Sequence, residues 1–227
     1  MTALELRGVS KSYPGSPPVE ALREAWLSVE RGELLAVVGP SGSGKTTLLS
    51  VAGTLERPTA GEVVIAGRNV EQLDDATVAG FRARHIGFVF QQFFLLPTLT
   101  ALDNAASGLL YRGVPASERR EAAARVLEQV GLGHRLNHRP GQLSGGESQR
   151  VAIARAVVGT PEVVFADEPT GNLDSVAGAE ILDLLVRLAG AGTSIVVATH
   201  SAVVARAAHR VVEVRDGVLR DGAVLAG

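Results

Sequence analysis

A chain of 227 residues, 46% of them hydrophobic and with a net charge of −2, can bury a substantial core as one domain or as one domain with a lobe. That charge argues against a nucleic-acid partner, because basic patches dominate such affinities. The absence of cysteine, of a basic-then-apolar leader at Met1–Arg7 and of any apolar run near ~18 residues excludes a disulfide scaffold and a membrane span. The expectation is a complete globular protein in a reducing cytoplasm, reaching a membrane only through a partner.

Residues 3–13 and 22–29 alternate as half-buried strands, separated by a Pro/Gly/Ser turn at Pro14–Pro18. Tyr13, at the end of the first, is placed either to stack on an adenine ring or to serve as an ordinary strand tyrosine. The apolar strand Leu34–Val38 then gives way to Gly39-Pro40-Ser41-Gly42-Ser43-Gly44-Lys45-Thr46-Thr47 and a helical pattern. This is a phosphate-binding loop between strand and helix. Glycines let backbone N–H groups turn inward onto phosphate oxygens, and the following helix adds its unpaired N–H groups and positive dipole end. Lys45 supplies a compact cation to the β and γ phosphates, and the Thr46 hydroxyl suits Mg²⁺. Of 22 basic residues only Lys11 and Lys45 are lysines, so Lys45 stands where a planar guanidinium would not serve.

Thr59–Gly67 reads as a turn and short strand, Asp74–Arg84 as a helix capped by Asp74 or Asp75, and Ile86–Phe90 as an apolar strand ending at Gln91-Gln92. Phe93-Phe94-Leu95-Leu96-Pro97 is too apolar for an ordinary loop; it belongs either to a core or to an exposed patch for a partner. From Ala101 to about Leu132 the pattern is helical, with Pro115 opening a segment in which Glu121 and Arg125 have the (i, i+4) spacing of an ion pair. No strand signal interrupts it, so a helical lobe is expected. His134 and His138 also stand at (i, i+4), but no carboxylate or cysteine cluster accompanies them and solvated histidines are the better reading.

Leu143-Ser144-Gly145-Gly146-Glu147 is a second Gly-rich turn opening a helix, and hence a second anion site; an N-cap by Ser144 alone would not explain the two glycines. The strand Glu162–Ala166 carries Asp167 and Glu168 at its carboxyl end, where open α/β sheets bind ligands. Adjacent carboxylates repel unless a cation or proton intervenes. Asp167 suits Mg²⁺ and Glu168 suits polarising a water. A further strand, Ser194–Thr199, ends at His200 on the same edge, and Arg210–Leu225 reads as a strand pair around Gly217.

In this order the motifs resemble the nucleotide-binding subunit of ABC transporters over essentially the whole chain. The resemblance implies an α/β fold: a P-loop NTPase core (about 1–91 and 160–227) with a small antiparallel β subdomain and an inserted α-helical lobe (about 92–159). It implies ATP and Mg²⁺ as ligands. Tyr13 then corresponds to the adenine-stacking aromatic, Gly39–Thr47 to the phosphate loop, Gln91 to the residue that senses Mg²⁺ and the transporter, and Ser144–Glu147 to the signature turn. Asp167 and Glu168 correspond to the metal-binding and catalytic carboxylates, Asp174 to the loop that touches the opposite subunit, and His200 to the γ-phosphate switch. The signature reads LSGGE, where the family most often has glutamine at Glu147. Gly171-Asn172-Leu173 and the stretch Ile86–Gln92 are similar to those of lipoprotein-releasing, macrolide-exporting and cell-division ATPases. That subgroup implies an ATP-bound homodimer and a separate integral-membrane permease (of the kind in the cell-division and macrolide-export systems). It places the subunit at the cytoplasmic face of the inner membrane, with Phe93–Pro97 near the groove for a cytoplasmic helix. The competing function is a regulatory or scaffolding ATPase that signals through a membrane partner without transport. A DNA-repair ATPase would carry a long heptad insertion or zinc cysteines, and a translation ATPase two cassettes.

Overall fold

The computed structural model describes residues 1–221. In chain order the elements are β1 (Thr2–Tyr13), β2 (Val19–Glu30), β3 (Leu34–Val38), α1 (Lys45–Ala52), β4 (Ala60–Ile65), β5 (Arg68–Asn69), α2 (Asp75–His85) and β6 (Ile86–Val89). Then come α3 (Ala101–Ala106), α4 (Ala116–Gln129), α5 (Gly145–Val157), β7 (Val163–Asp167), α6 (Ser175–Gly190), β8 (Ser194–Ala198), α7 (Ala202–Ala207), β9 (Arg210–Arg215) and β10 (Val218–Asp221). The last two are the strand pair expected around Gly217; the end of that expected stretch, beyond Asp221, lies outside the described residues.

A four-stranded antiparallel sheet, β2-β1-β4-β5, packs beside a six-stranded sheet of order β10-β9-β3-β8-β7-β6, parallel but for β10. The continuous apolar runs of β3, β7 and β8 follow from burial on both faces. Their side chains alternate between two cores: Leu35, Val37, Val163, Phe165, Val196 and Ala198 face α1 and the antiparallel sheet. Leu34, Val164, Ala166, Ile195 and Val197 face the helices α3 to α6. Phe165 is 1% exposed, and its truncation to alanine would cost about 3–5 kcal/mol.

The register positions the site. Val37 pairs with Ala198, Asp167 with Ala198, and Val89 with Ala166, so β3, β8, β7 and β6 end almost level. The residues that follow these ends include Gly39, Thr199 and His200, Glu168, and, one past Phe90, Gln91.

The helical stretch from Ala101 is broken where the sequence shows one pattern. After α3 the chain tightens into a 3₁₀ helix, Ser107–Arg112, before Pro115 opens α4. Close packing leaves no room for a side chain in this turn: a Cβ on Gly108 would stand 2.2 Å from the Arg155 carbonyl oxygen of α5. Glu121 and Arg125 form no ion pair among the described residues; the neighbouring Arg120 instead bonds Asp103 on α3. An exposed (i, i+4) pair gains too little to fix two long side chains. His138 Nε2 lies 3.0 Å from Arg135 Nη1, and no group of three or more metal-ligating side chains occurs among the described residues.

Candidate active site

The loop between β3 and α1 turns at glycines that admit no side chain. Gly39 has φ 151°, and a Cβ there would lie 2.2 Å from the Val214 carbonyl oxygen; Gly44 has φ 111°, with a Cβ 2.4 Å from the Ala21 carbonyl oxygen. Lys45 arches over the loop, Nζ donating to the carbonyls of Gly39 at 2.8 Å and Pro40 at 2.9 Å. A cavity of about 620 Å³ opens here, lined by Tyr13, Ala21, Arg23, Gly42, Ser43, Gly44, Lys45, Thr46, Thr47 and Gly217. Pro40 and Ser41 complete the loop, and Ser41 is exposed. Ser43 Oγ is buried with no hydrogen-bond partner. Tyr13 thus stands at the phosphate loop, its hydroxyl donating to Glu56 Oε2 at 2.8 Å. Burial, reinforced by Glu56, raises its pKa, so the ring is neutral.

Across the sheet edge the two carboxylates face different partners. Thr46 Oγ1 donates to Asp167 Oδ2 at 3.1 Å, joining the first turn of α1 to the end of β7. Burial holds the Asp167 carboxyl above its usual range, the hydrogen bond from Thr46 opposes this, and the neighbouring Glu168 raises it further. Glu168 occupies a left-handed conformation, φ 46°, strain of the kind concentrated at functional sites. Its Oε1 is 2.7 Å from His200 Nδ1, and its Oε2 accepts from Thr199 Oγ1 at 3.3 Å. His200 is the exposed member, at 75% of its side-chain surface, against 17% for Glu168. Thr199, fully buried, is a site residue that sequence reasoning missed; a polar residue closing the apolar run of β8 was the available signal.

Ser144 caps α5 in a reciprocal box: its Oγ accepts from Glu147 N at 3.1 Å, while Glu147 Oε2 accepts from Ser144 N at 2.8 Å. Glu147 Oε1 accepts from Arg135 Nε at 2.9 Å. Both carboxylate oxygens are therefore engaged within the chain, and Glu147 braces the turn. The Ser144 N–H and then Arg135 keep its pKa below the usual glutamate value. Gly145 and Gly146 let this turn approach the start of α6: a Cβ on the first would sit 3.2 Å from Leu173 Cδ2, on the second 3.1 Å from Ala177 Cβ. Asp174 caps α6, Oδ1 accepting from Val176 N and Ala177 N. Gln91 Nε2 donates to Asn172 Oδ1 at 3.1 Å. Two further links were not legible. The buried Gln149 of α5 donates to the Pro169 carbonyl at 2.7 Å, and Arg155 donates to the carbonyls of Phe93 and Phe94.

One separation stands out. The residues lining the cavity at the phosphate loop include none from Ser144–Glu147. Hydrogen bonds tie Thr46 of the loop to Asp167 and Glu168 to His200, whereas the start of α5 bonds within itself and to Arg135, so the sequence-predicted residues fall into two hydrogen-bonded clusters.

The family model described as "ABC transporter" matches residues 22–171, more than half of the chain. The chain belongs to the ABC transporter family. A relative described as an uncharacterised ABC transporter ATP-binding protein of Thermotoga maritima is 51% identical over 215 residues, covering 94% of this chain and 92% of that protein. The macrolide export ATP-binding/permease protein MacB of Sodalis glossinidius is 46% identical over 94% of this ABC cassette but only 33% of its own length. The pyoverdine export ATP-binding/permease protein PvdT of Pseudomonas fluorescens is 47% identical with the same coverage, so the chain spans about a third of these export relatives. Among solved structures, a dimeric ATP-binding cassette in a post-hydrolysis state bound to ADP and Pi superposes with a TM-score of 0.87 at 40% identity, covering 99% of this chain and 100% of that one. The α/β fold expected from sequence is that of an ABC ATPase.

Proposed function

We propose that this ABC cassette closes as a homodimer around two ATP molecules, hydrolyses them and drives a membrane permease of the export type. The observation that carries this is the separation of the two clusters: the phosphate loop and the signature turn make sense as one site only if each chain supplies half of it. ATP is the natural ligand of a cavity with a P-loop floor and a tyrosine at its side. Gly39–Thr47 would cradle the phosphates with backbone N–H groups, and the Lys45 ammonium would exchange its two loop carbonyls for phosphate oxygens. From the partner copy, Ser144, Gly145 and Gly146 would supply the donors of a helix start, with Glu147 bracing the turn and Asp174 fixing the adjacent α6 start.

Asp167, Thr46 and Gln91 offer the hard oxygens that suit Mg²⁺, and the hydrogen bond between the first two already places a carboxylate against a hydroxyl. Mg²⁺, when bound, would neutralise phosphate charge there. Glu168 would take the proton of the attacking water, steadied by Thr199 and by His200, whose exposed ring is free to reach a γ phosphate.

For the permease, the supporting feature is a groove of about 820 Å³ lined by Phe88, Phe90, Phe94, Tyr111, Arg112 and Arg155 among others. Phe94 and Leu96 are 61% and 53% exposed, while the intervening Leu95 packs into the core, so Phe93–Pro97 is part anchor and part surface. No helix among the described residues is long and apolar enough to cross a membrane. The export relatives are named for an ATP-binding part joined to a permease; this chain would supply the first, at the cytoplasmic membrane face. We keep the division into a core (1–91 and 160–227) and a helical lobe (92–159) as part of the same proposal.

The test is Glu168→Gln. It should retain Mg-ATP binding, hydrolyse ~10² to 10⁴ times more slowly, and run as a dimer in sizing chromatography with ATP. A variant that stays monomeric with ATP and turns over normally would remove Glu168 from the reaction.

A further inference from the structure

Gln91 and Asn172 form a closed ring whose polarity can be derived. Gln91 Nε2 donates to Asn172 Oδ1 at 3.1 Å, and Asn172 Nδ2 donates to the main-chain carbonyl of Gln91 at 3.0 Å. The ring is built on the turn just after Glu168, where Gly171 N donates to the Glu168 carbonyl at 3.0 Å.

The main-chain carbonyl is the fixed member, because it can only accept. It demands the NH₂ end of Asn172, which leaves Oδ1 toward the Gln91 side chain. That oxygen also only accepts, so it demands the NH₂ end of Gln91. An exposed glutamine amide otherwise shows either end with equal ease. Here its oxygen, the one atom of the group able to ligate a cation, takes no part in the ring. Gly171 makes room for it: a Cβ there would stand 2.9 Å from Gln91 Nε2 and 3.2 Å from Cδ.

We propose that Asn172 is a positioning residue that orients the Gln91 amide with its oxygen available to Mg²⁺, and that Gly171 leaves the space the arrangement needs. This rests on Gln91 being a cation ligand, as proposed above. Partners that orient a ligand typically change metal affinity by about 10- to 100-fold when removed. Asn172 and Gly171 are exposed, and a Cβ on Gly171 meets only the end of a flexible side chain, so alanine at either position spares the fold.

The experiment titrates a fluorescent ATP analogue into the full chain in Mg²⁺ and again in EDTA; the ratio of the two affinities is the cation-dependent part. Gln91→Ala should lower that ratio by about tenfold. Asn172→Ala and Gly171→Ala should each lower it in the same direction, with affinity in EDTA unchanged. In the Gln91→Ala background Asn172→Ala should add nothing. If Gln91→Ala lowers the ratio and Asn172→Ala leaves it at the wild-type value, or lowers it equally without Gln91, Asn172 does not position the amide. If Gln91→Ala itself changes nothing, Gln91 is no cation ligand and both assignments fall.

Discussion

Thr46 Oγ1 and Asp167 Oδ2 meet at 3.1 Å, closing the gap between the helix after the phosphate loop and the strand that carries the carboxylates. A single hydrogen bond thus connects two motifs 121 residues apart. Asp167 is held there against its own electrostatics, since burial and then Glu168 both favour its neutral form, with Thr46 and Lys45 opposing.

Asp167→Asn should therefore stabilise the nucleotide-free chain while abolishing Mg-dependent hydrolysis. The folded pKa is raised, so the folded chain binds this proton more readily than the unfolded one. The cost of the carboxylate is full above the folded value, falls as pH drops through it and is gone only below the unfolded value. At pH 7 asparagine keeps an acceptor for Thr46 and removes the charge. A gain of about 1 kcal/mol, or about 2–4 °C in Tm, is expected, shrinking in acid. Calorimetry showing a lower Tm for the variant at pH 7 would contradict the account.

Lys45→Ala should abolish high-affinity ATP binding, since it removes the charge that neutralises the phosphates in a low-dielectric loop. Lys45→Arg should also fail: a planar guanidinium cannot occupy the position from which Nζ reaches both Gly39 and Pro40 carbonyls. Normal affinity for the alanine variant in isothermal titration would remove the lysine from the site.

Glu147 links stability to pH with the opposite sign. Its folded pKa lies below the ordinary value of 4.5, owing to the Ser144 N–H and then Arg135. Its contribution is complete above that ordinary value and is lost as pH falls through the depressed one. Glu147→Gln keeps the capping box but loses the charge opposite Arg135, so it should be less stable at neutral pH by about 0.5–1 kcal/mol. Urea melts of both proteins should converge in acid; a gap that persists at the lowest pH would assign the effect to packing.

Phe94→Ser with Leu96→Ser should leave the isolated cassette folded and able to bind ATP, because both side chains are more than half exposed. The loss of the edge-to-face contact between Phe90 and Phe94 is worth about 0.5–1.5 kcal/mol. Leu95→Ser, by contrast, removes a partly buried side chain packed on the core, and a loss of about 1–2 kcal/mol is expected. Denaturant melts separate the two, and permease-stimulated ATPase activity reports the coupling.

The phosphate loop, the carboxylates and the strand ends were legible because each depends on local chemistry: glycines where backbone must approach, and apolar runs that stop at polar residues. What escaped depends on tertiary contact. Nothing in the sequence places Asn172 beside Gln91, 81 residues away, or Arg135 against Glu147. The break after Ala106 falls where α5 comes close to Gly108, a contact that no periodicity encodes. The Phe93–Pro97 alternatives had no single answer, as Leu95 is anchored while Phe94 and Leu96 are not.

If the signature turn of one copy completes the phosphate loop of another, damage to the two clusters should complement between chains. A Lys45→Ala chain paired with a Gly146→Asp chain forms one doubly damaged site and one intact site, whereas either homodimer has none intact. Gly146→Asp puts an anion where backbone N–H groups should meet phosphate; its Cβ would press on Ala177 Cβ at 3.1 Å, so the chain's own ATP affinity serves as the check that it is folded. With Glu168→Gln in both chains to prevent turnover, the mixture should retain about one ATP per heterodimer, as one-site occupancy requires, and neither chain alone should retain any. Should the mixture retain no more than its separated chains, either the phosphate loop is completed within one chain or one intact site does not hold two copies closed, and the site split between copies loses its main support.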